Sequence, residues 1–214
     1  VYSAGSTFTR CRYFGAIKAT GTKWTGTNSY ATGGIVGTIS NTGTGEPVST
    51  IEYCANYGTI TGGIQSLGGI VGYIGTVSST MAARVDKCYN RGTVENTTEG
   101  GYSGGIAGNL YGNYLTVTMS DCLNYGQIIN PAEGRDCGLV GYSNSSRITL
   151  SNCWYSYISS TGYSATADFT GADVFGSSED TAYAETVGKL GNSYVMNSKE
   201  AVPMLQWEDE NHEY

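Results

Sequence analysis

The chain has 214 residues, of which 32 are Gly and 18 are Tyr, and only 14% are charged. Frequent Gly, Thr, Ser and Asn between recurring Ile, Val and Tyr indicates short strands joined by tight turns and excludes a disordered chain. The net charge of −7 excludes nucleic acid as a partner, because a polyanion would be repelled. No run of about 18 apolar residues is present, so this segment is not expected to insert into a membrane.

Two short sequence blocks alternate along the chain. The first starts with a cysteine, as in CYNRGTV, and recurs at Cys11, Cys54, Cys88 and Cys122, with a degenerate copy at Cys153. The second is glycine-rich, as in GGIVG, and ends at Gly37, Gly72, Gly108 and Gly141, with a degenerate copy ending at Gly176. Recurrence at this period indicates a solenoid, a propeller or an array, and the shorter spacings fit poorly to a propeller blade of about 40–50 residues.

Each repeat predicts three short strands. Period-two alternation in CxNxGxI predicts a strand whose Cys and Asn face inward. GGIVG predicts a second strand, and an apolar step before the later cysteines, at Ile51, Val85, Met119 and Leu150, predicts a third. The predicted fold is all-β: a right-handed parallel β-helix of about five coils over residues 1–176, followed by a C-terminal cap and acidic tail over residues 177–214.

The C-terminal region leaves the repeat. EDTAYAETVGKLG has Ala182, Val187 and Leu190 at helical spacing, which predicts a short helix. AVPMLQW predicts a final strand or plug, and we expect Val202, Leu205 and Trp207 to cover an open end of the β-helix. The last residues, EDENHEY, are acidic and are predicted to be solvated.

The alternating blocks resemble the GLUG-type repeats of bacterial cell-surface, adhesin-like proteins. The resemblance rests on CYNRGTV at Cys88–Val94, GGIVG at Gly68–Gly72 and the closing VPMLQW, and it covers about residues 11–207. It implies a β-helical, extracellular segment of a large modular protein, secreted or held at the bacterial surface. Such repeats accompany adhesins, and some streptococcal immunoglobulin-A peptidases carry them outside the catalytic domain. The repeat brings no family catalytic residues, and Cys137, which replaces a repeat glycine, has no functional meaning within the family.

The inward columns are predicted to be structural. Stacked cysteines suggest disulfides or a metal site, but side chains in an in-register ladder match disulfide geometry poorly, so buried reduced thiols are favoured. Zinc is disfavoured further because there is no CxxC and the single His, His212, lies in the tail. Asn56, Asn90 and Asn124 share the next inward position, which predicts an asparagine ladder rather than a polar site.

The outward positions one and three residues after each cysteine form an aromatic stripe with interleaved Arg. We predict a ligand-binding surface there, formed by Phe14, Tyr57, Tyr89, Arg91, Tyr125 and Trp154. The alternative is that these aromatic rings only stack on the sheet or lie beneath other segments. The long first-repeat loops, KATGTKWTGTNSYAT and TISNTGTGEPVST, are a second candidate surface.

No catalytic motif is present, so an enzyme is not expected, and neither a cofactor nor a metal is implied. Asp86 and Asp121 precede cysteines at unlike offsets, and no second carboxylate is fixed beside either of them. The leading hypothesis is a non-catalytic extracellular module of a bacterial surface protein that binds a host protein or glycan. The alternatives are an accessory domain of a secreted peptidase or glycan-degrading enzyme, and a structural stalk. Because the chain opens on Val1-Tyr2-Ser3, we expect it to be part of a longer protein whose other domains are partners.

Overall fold

The chain forms a parallel β-helix. The structure, a computed structural model, describes residues 5–20, 30–41, 47–63, 66–76, 79–131, 136–156, 162–164, 172–175, 187–197, 199 and 202–209. Strands of one repeat pair in parallel with those of the repeats before and after it: Met81–Asp86, for example, pairs with Val48–Glu52 and with Leu115–Ser120. This stacking of successive coils confirms the predicted fold class.

Four sheets, named A to D in chain order, run along the β-helix. Sheet A precedes the cysteines and contains Thr7–Thr9, Val48–Glu52, Met81–Asp86, Leu115–Ser120 and Ile148–Ser151. Sheet B follows them with Arg12–Tyr13, Ala55–Asn56, Tyr89–Asn90, Leu123–Asn124, Cys153–Ser156 and Ala172–Phe175. Sheet C contains Ala16–Ala19, Thr59–Gly62, Val94–Asn96 and Ile128–Ile129.

Sheet D contains the glycine-rich blocks and has two arms. The first arm consists of Ala31–Gly33, Ser66–Gly68 and Tyr102–Gly104, and the second of Val36–Asn41, Val71–Thr76 and Ala107–Tyr111. Asp136–Ser143 pairs with both arms, and Gly162–Ser164 pairs with Asp136–Ser143. Sheet C has four strands and sheet A has five, so four described coils reach every sheet and a fifth is partial. That count is slightly below the five coils expected.

The cysteine block bends where a single strand was predicted. It supplies Tyr89–Asn90 to sheet B and Val94–Asn96 to sheet C, with Gly92 at the bend. A Cβ atom on Gly92 would lie 1.9 Å from the carbonyl oxygen of Gly58 in the preceding coil, so only glycine fits. The alternation of residue types within one block does not reveal this close contact between the backbones of two coils. The sequence therefore predicted one strand in the cysteine block where the structure has two.

The predicted inward columns are confirmed. The apolar steps Ile51, Val85, Met119 and Leu150 stand in register across sheet A and are buried. In the next column, Nδ2 of Asn56 donates to Oδ1 of Asn90, and Nδ2 of Asn90 donates to Oδ1 of Asn124, both at 2.7 Å. The asparagines are fully buried, and these hydrogen bonds join three coils through the interior.

The cysteine column closes the corner between sheets A and B. The residue before each repeat cysteine is in the left-handed region, with φ between 50° and 53°, at Arg10, Tyr53, Lys87, Asp121 and Asn152. At this corner Sγ of Cys88 lies 3.3 Å from the carbonyl oxygen of Asp86 and 3.6 Å from that of Ile51 in the preceding coil. All six cysteines are free, as the preference for reduced thiols anticipated.

The C-terminal segment lies against the side of the β-helix. A helical turn at 187–190 and a 3-10 turn, Gly191–Ser193, lead into an antiparallel pair, Tyr194–Asn197 with Val202–Leu205, and a final helical turn, Gln206–Asp209. This segment, named the C-terminal hairpin below, covers the outward face of sheet B. Placement at an open end of the β-helix was therefore wrong for Leu205 and Trp207, which pack beside sheet B.

Several predicted features lie outside the described residues. These are parts of the first-repeat loops (21–29 and 42–46), the first part of the predicted helix, including Ala182, and the tail from residue 210, including His212. Among the residues that are described, no helix has the length and apolar character needed to cross a membrane.

Candidate functional site

Aromatic side chains of the predicted stripe contact one another on the outward face of sheet B. The rings of Phe14 and Tyr57 stack with centroids 4.9 Å apart and planes 6° apart. Tyr57 meets Tyr89 edge to face at 5.8 Å, and Tyr89 meets Tyr194 of the hairpin in the same way at 6.3 Å. Period two therefore placed the outward columns correctly, and their aromatic residues contact one another across coils.

The exposure expected of the whole stripe is wrong for Tyr89 and Trp154. Tyr89 is fully buried and Trp154 is 7% exposed, because Leu190, Tyr194 and Leu205 pack over them. The remaining four residues of the stripe are at least partly accessible, and Phe14 is 67% exposed. The hairpin therefore buries Tyr89 and Trp154, and the stripe is most accessible at Phe14 in the first coil.

Two hydroxyl groups anchor the hairpin to the β-helix. The Tyr194 hydroxyl lies 3.0 Å from the carbonyl oxygen of Cys88 and 2.9 Å from that of Asp121, and it donates to this pair. The Tyr57 hydroxyl donates to Oε2 of Glu208 at 2.6 Å. The same carboxylate oxygen accepts from the backbone N–H of Leu205 at 3.2 Å.

The prediction that the acidic C-terminal residues are solvated is wrong for Glu208, which is only 1% exposed. Burial, and then the charge of Glu208 and the hydrogen bond to it, raises the pKa of the Tyr57 hydroxyl far above its usual range. Arg12 lies 3.9 Å from Oε1 of Glu208, which places a guanidinium group beside the buried carboxylate.

A cavity of about 140 Å³, named the hairpin cavity, opens where the hairpin meets the first coils. It is lined by Arg12, Phe14, Tyr57, Arg91, Asn197, Val202, Met204 and Glu208. Three of the six predicted site residues meet here, whereas Tyr89, Tyr125 and Trp154 are not among the lining residues. The cavity combines an aromatic face, two guanidinium groups and one buried carboxylate, which suits recognition of a polar ligand with an apolar face.

A second cavity of about 200 Å³, named the corner cavity, borders the same final helical turn. Its lining residues are Arg10, Tyr53, Asn192, Ser193, Gln206 and Trp207. The indole Nε1 of Trp207 donates to the carbonyl oxygen of Tyr53 at 3.1 Å, which fixes the ring. The guanidinium of Arg12 lies 4.9 Å from the centroid of the same ring, so this pair stands between the two cavities.

The corner cavity could not be predicted from the sequence, because the residues that line it share no sequence pattern. Arg10 and Tyr53 come from the left-handed corner between sheets A and B, and Trp207 was predicted to cover an end of the β-helix. The repeat itself offered one usable signal: the residue before each cysteine is outward and varies in type from coil to coil.

A charged cluster that the sequence did not predict lies further along the same corner. Asp86, which is 2% exposed, accepts from Ser120, from Lys87 at 2.9 Å and from Arg84 at 2.6 Å. Lys87 also lies 3.3 Å from Asp121. Burial opposes ionisation of Asp86, but these hydrogen bonds and the charge of Lys87 outweigh it and lower the pKa of Asp86. A carboxylate with this many donors is suited to holding coils together rather than to proton transfer.

The fold and site together define a parallel β-helix with a laterally docked hairpin and two polar–aromatic cavities at its edge. Comparison with protein-family models, with curated proteins and with solved structures finds no match to this chain. Among the described residues, no group of three or more His, Cys, Asp and Glu side chains is placed to hold a metal ion.

Proposed function

We propose that the chain is a non-catalytic, extracellular module of a bacterial surface or secreted protein, and that it binds a host protein or glycan through the hairpin cavity. The observation that carries this proposal is the convergence of Phe14, Tyr57 and Arg91 on one cavity beside the docked hairpin. Aromatic faces and guanidinium groups are the side chains most enriched at the centres of binding surfaces.

The exposed ring of Phe14 gives the proposal a specific anchor. It is the most exposed of the large apolar side chains in the described part of the chain, and it is held rigidly by stacking on Tyr57. A rigid aromatic face loses little conformational entropy when a ligand covers it. The proposal includes membership of the GLUG-type repeat proteins, which the sequence motifs resemble and whose repeats occur in bacterial surface proteins.

The test is a binding array of host glycans and extracellular host proteins, probed with the chain and with two variants. Phe14→Ala removes the anchor, and Tyr114→Ala removes a similarly exposed aromatic ring that is outside the cavity. We expect at least one ligand to be lost with Phe14→Ala and retained with Tyr114→Ala. Equal binding by both variants would place the binding site outside the hairpin cavity and contradict the proposal. An array without any ligand would favour the structural stalk instead.

A further inference from the structure

We propose that the hairpin cavity and the corner cavity are adjoining subsites for one acidic oligosaccharide, with the Arg12–Trp207 pair between them. This proposal rests on the proposed binding function and deepens it by naming the class of ligand. Three observations carry it: the adjacency of the cavities, their charge, and the kind of side chains that line them.

The adjacency follows from the final helical turn. Gln206 and Trp207 line the corner cavity, and the next residue, Glu208, lines the hairpin cavity. Sites for compact drug-sized ligands usually measure about 300–1,000 Å³, so each of these cavities suits only part of a ligand. An elongated ligand that places one unit on each side of the Arg12–Trp207 pair fits both spaces.

The charge of the two cavities is opposite to that of the chain. Arg10, Arg12 and Arg91 line them, and among the described residues of the two linings Glu208 is the sole acidic one. That carboxylate is buried, accepts hydrogen bonds from Tyr57 and from the backbone, and lies 3.9 Å from Arg12. Its single charge therefore offsets only one of the three guanidinium groups, and the net charge of the described lining residues is positive. A positive site on a chain of net charge −7 selects an anionic group, and a guanidinium matches a carboxylate or sulfate in a bidentate manner.

The remaining lining residues suit a sugar better than a peptide side chain. The corner cavity has a Trp ring beside amide and hydroxyl groups from Asn192, Ser193 and Gln206, and the hairpin cavity has the exposed face of Phe14 beside Asn197. A pyranose presents C–H groups on its face and hydroxyl groups on its edge. It can therefore place the first against an aromatic ring and the second against amides.

The experiment is a titration followed by tryptophan fluorescence, in a Trp154→Phe background that removes an indole lining neither cavity. The probes are a hyaluronan tetrasaccharide, a sulfated heparan tetrasaccharide, sialyllactose and neutral chitotetraose. We expect saturable binding of one or more acidic probes, with chitotetraose at least about tenfold weaker. The preferred acidic probe then distinguishes a uronic acid, a sulfate or a sialic acid as the recognised group.

Charge variants test where the acidic group binds. Arg10→Gln and Arg91→Gln should each weaken acidic binding by about 10- to 100-fold, since a charge-assisted hydrogen bond is lost from one cavity each. Arg147→Gln, which removes the same charge from an exposed arginine outside both cavities, should change binding less than about twofold. An equal loss with Arg147→Gln would show unspecific attraction and overturn the proposal, as would loss with only one of the two cavity variants.

Two further outcomes distinguish failure of the acidic-oligosaccharide proposal from failure of the proposed binding function. If none of the saccharides binds but a host protein binds in a Phe14-dependent manner, the acidic-sugar assignment fails while the binding function stands. If chitotetraose binds as tightly as the acidic probes, the charge argument fails and the glycan-binding function stands.

Discussion

A Cβ atom on Gly69 would lie 2.4 Å from Cγ of Asn90, the asparagine of the following coil. Gly34 with Asn56 and Gly105 with Asn124 repeat this contact. The second glycine of each GG pair therefore provides the space in which the next asparagine of the ladder lies. This contact explains why the two sequence blocks recur together, because each one needs the other across neighbouring coils.

Gly69→Ala should lower the free energy of unfolding by about 2–4 kcal/mol, since overpacking a closed interior typically costs 1–3 kcal/mol and the displaced Asn90 also weakens its ladder hydrogen bonds. Urea unfolding followed by circular dichroism measures the change. Gly188→Ala is the matched control, because a Cβ at Gly188, in a helical turn, meets no atom of the described residues within 4 Å. The control should be neutral or stabilising by up to about 1 kcal/mol; equal losses in both variants would contradict the packing argument.

The sequence predicted the features that repetition and period two encode. The columns through Val85, Cys88 and Asn90 recur in several coils at fixed offsets, so their inward position followed directly. The hairpin has no second copy along the chain, and Glu208 is separated by 151 residues from its partner Tyr57. In sequence Glu208 resembles a solvated acidic tail, and only the docked hairpin turns it into a buried carboxylate beside a cavity. The part of the site that the repeat encodes was therefore predictable, and the part that the hairpin contributes was not.

The hydrogen bond from Tyr57 to Glu208 should hold the hairpin on sheet B. Tyr57→Phe should lower the free energy of unfolding by about 1.5–3 kcal/mol, the typical contribution of a hydrogen bond to a charged group, and should speed amide exchange across Val202–Leu205. Tyr111→Phe removes a hydroxyl from an exposed tyrosine that lines neither cavity and should change little. Unchanged exchange at the hairpin in Tyr57→Phe would contradict this role.

The hydrogen bond between Tyr57 and Glu208 should also make the stability of the chain depend on pH in the alkaline range. The pKa of Tyr57 is raised in the folded chain above the ordinary value of 10.0, so the stability that it contributes is present below about pH 10 and is lost as the pH rises above that value. Absorbance titration should therefore show Tyr57 ionising only with unfolding, and Tyr57→Phe should remove one late-titrating hydroxyl. An equal number of late-titrating groups in both proteins would rule out the assignment.

The buried thiols of the cysteine column should react slowly with alkylating reagents in the folded chain. Burial raises the pKa of Cys88 and Cys122 well above the ordinary thiol value, and the thiolate is the species that reacts with alkylating reagents. At pH 8 we expect iodoacetamide to modify Cys11, which is partly exposed, much faster than the five buried thiols. In denaturant all six should react, as counted by mass spectrometry. Cys11→Ser should abolish the fast reaction, and fewer than six modified thiols in denaturant would indicate a disulfide instead.

Asp86 should govern part of the acid stability. Its pKa in the folded chain lies below the value of 3.8 that applies without its partners, so its contribution is complete above about pH 4 and is lost as the pH falls from there through the folded value. At neutral pH Asp86→Asn should cost about 2–3 kcal/mol, because donors from Lys87, Arg84 and Ser120 lose a charged acceptor. Below pH 4 the difference between Asp86→Asn and the unsubstituted chain should narrow.

Urea midpoints measured between pH 2 and pH 7 test this pH dependence. Glu99→Gln, which removes an exposed carboxylate, is the matched control and should parallel the unsubstituted chain throughout. A deficit in Asp86→Asn that is as large at pH 2 as at pH 7 would mean that the charge of Asp86 contributes nothing. The side chain would then act only by filling space between the coils.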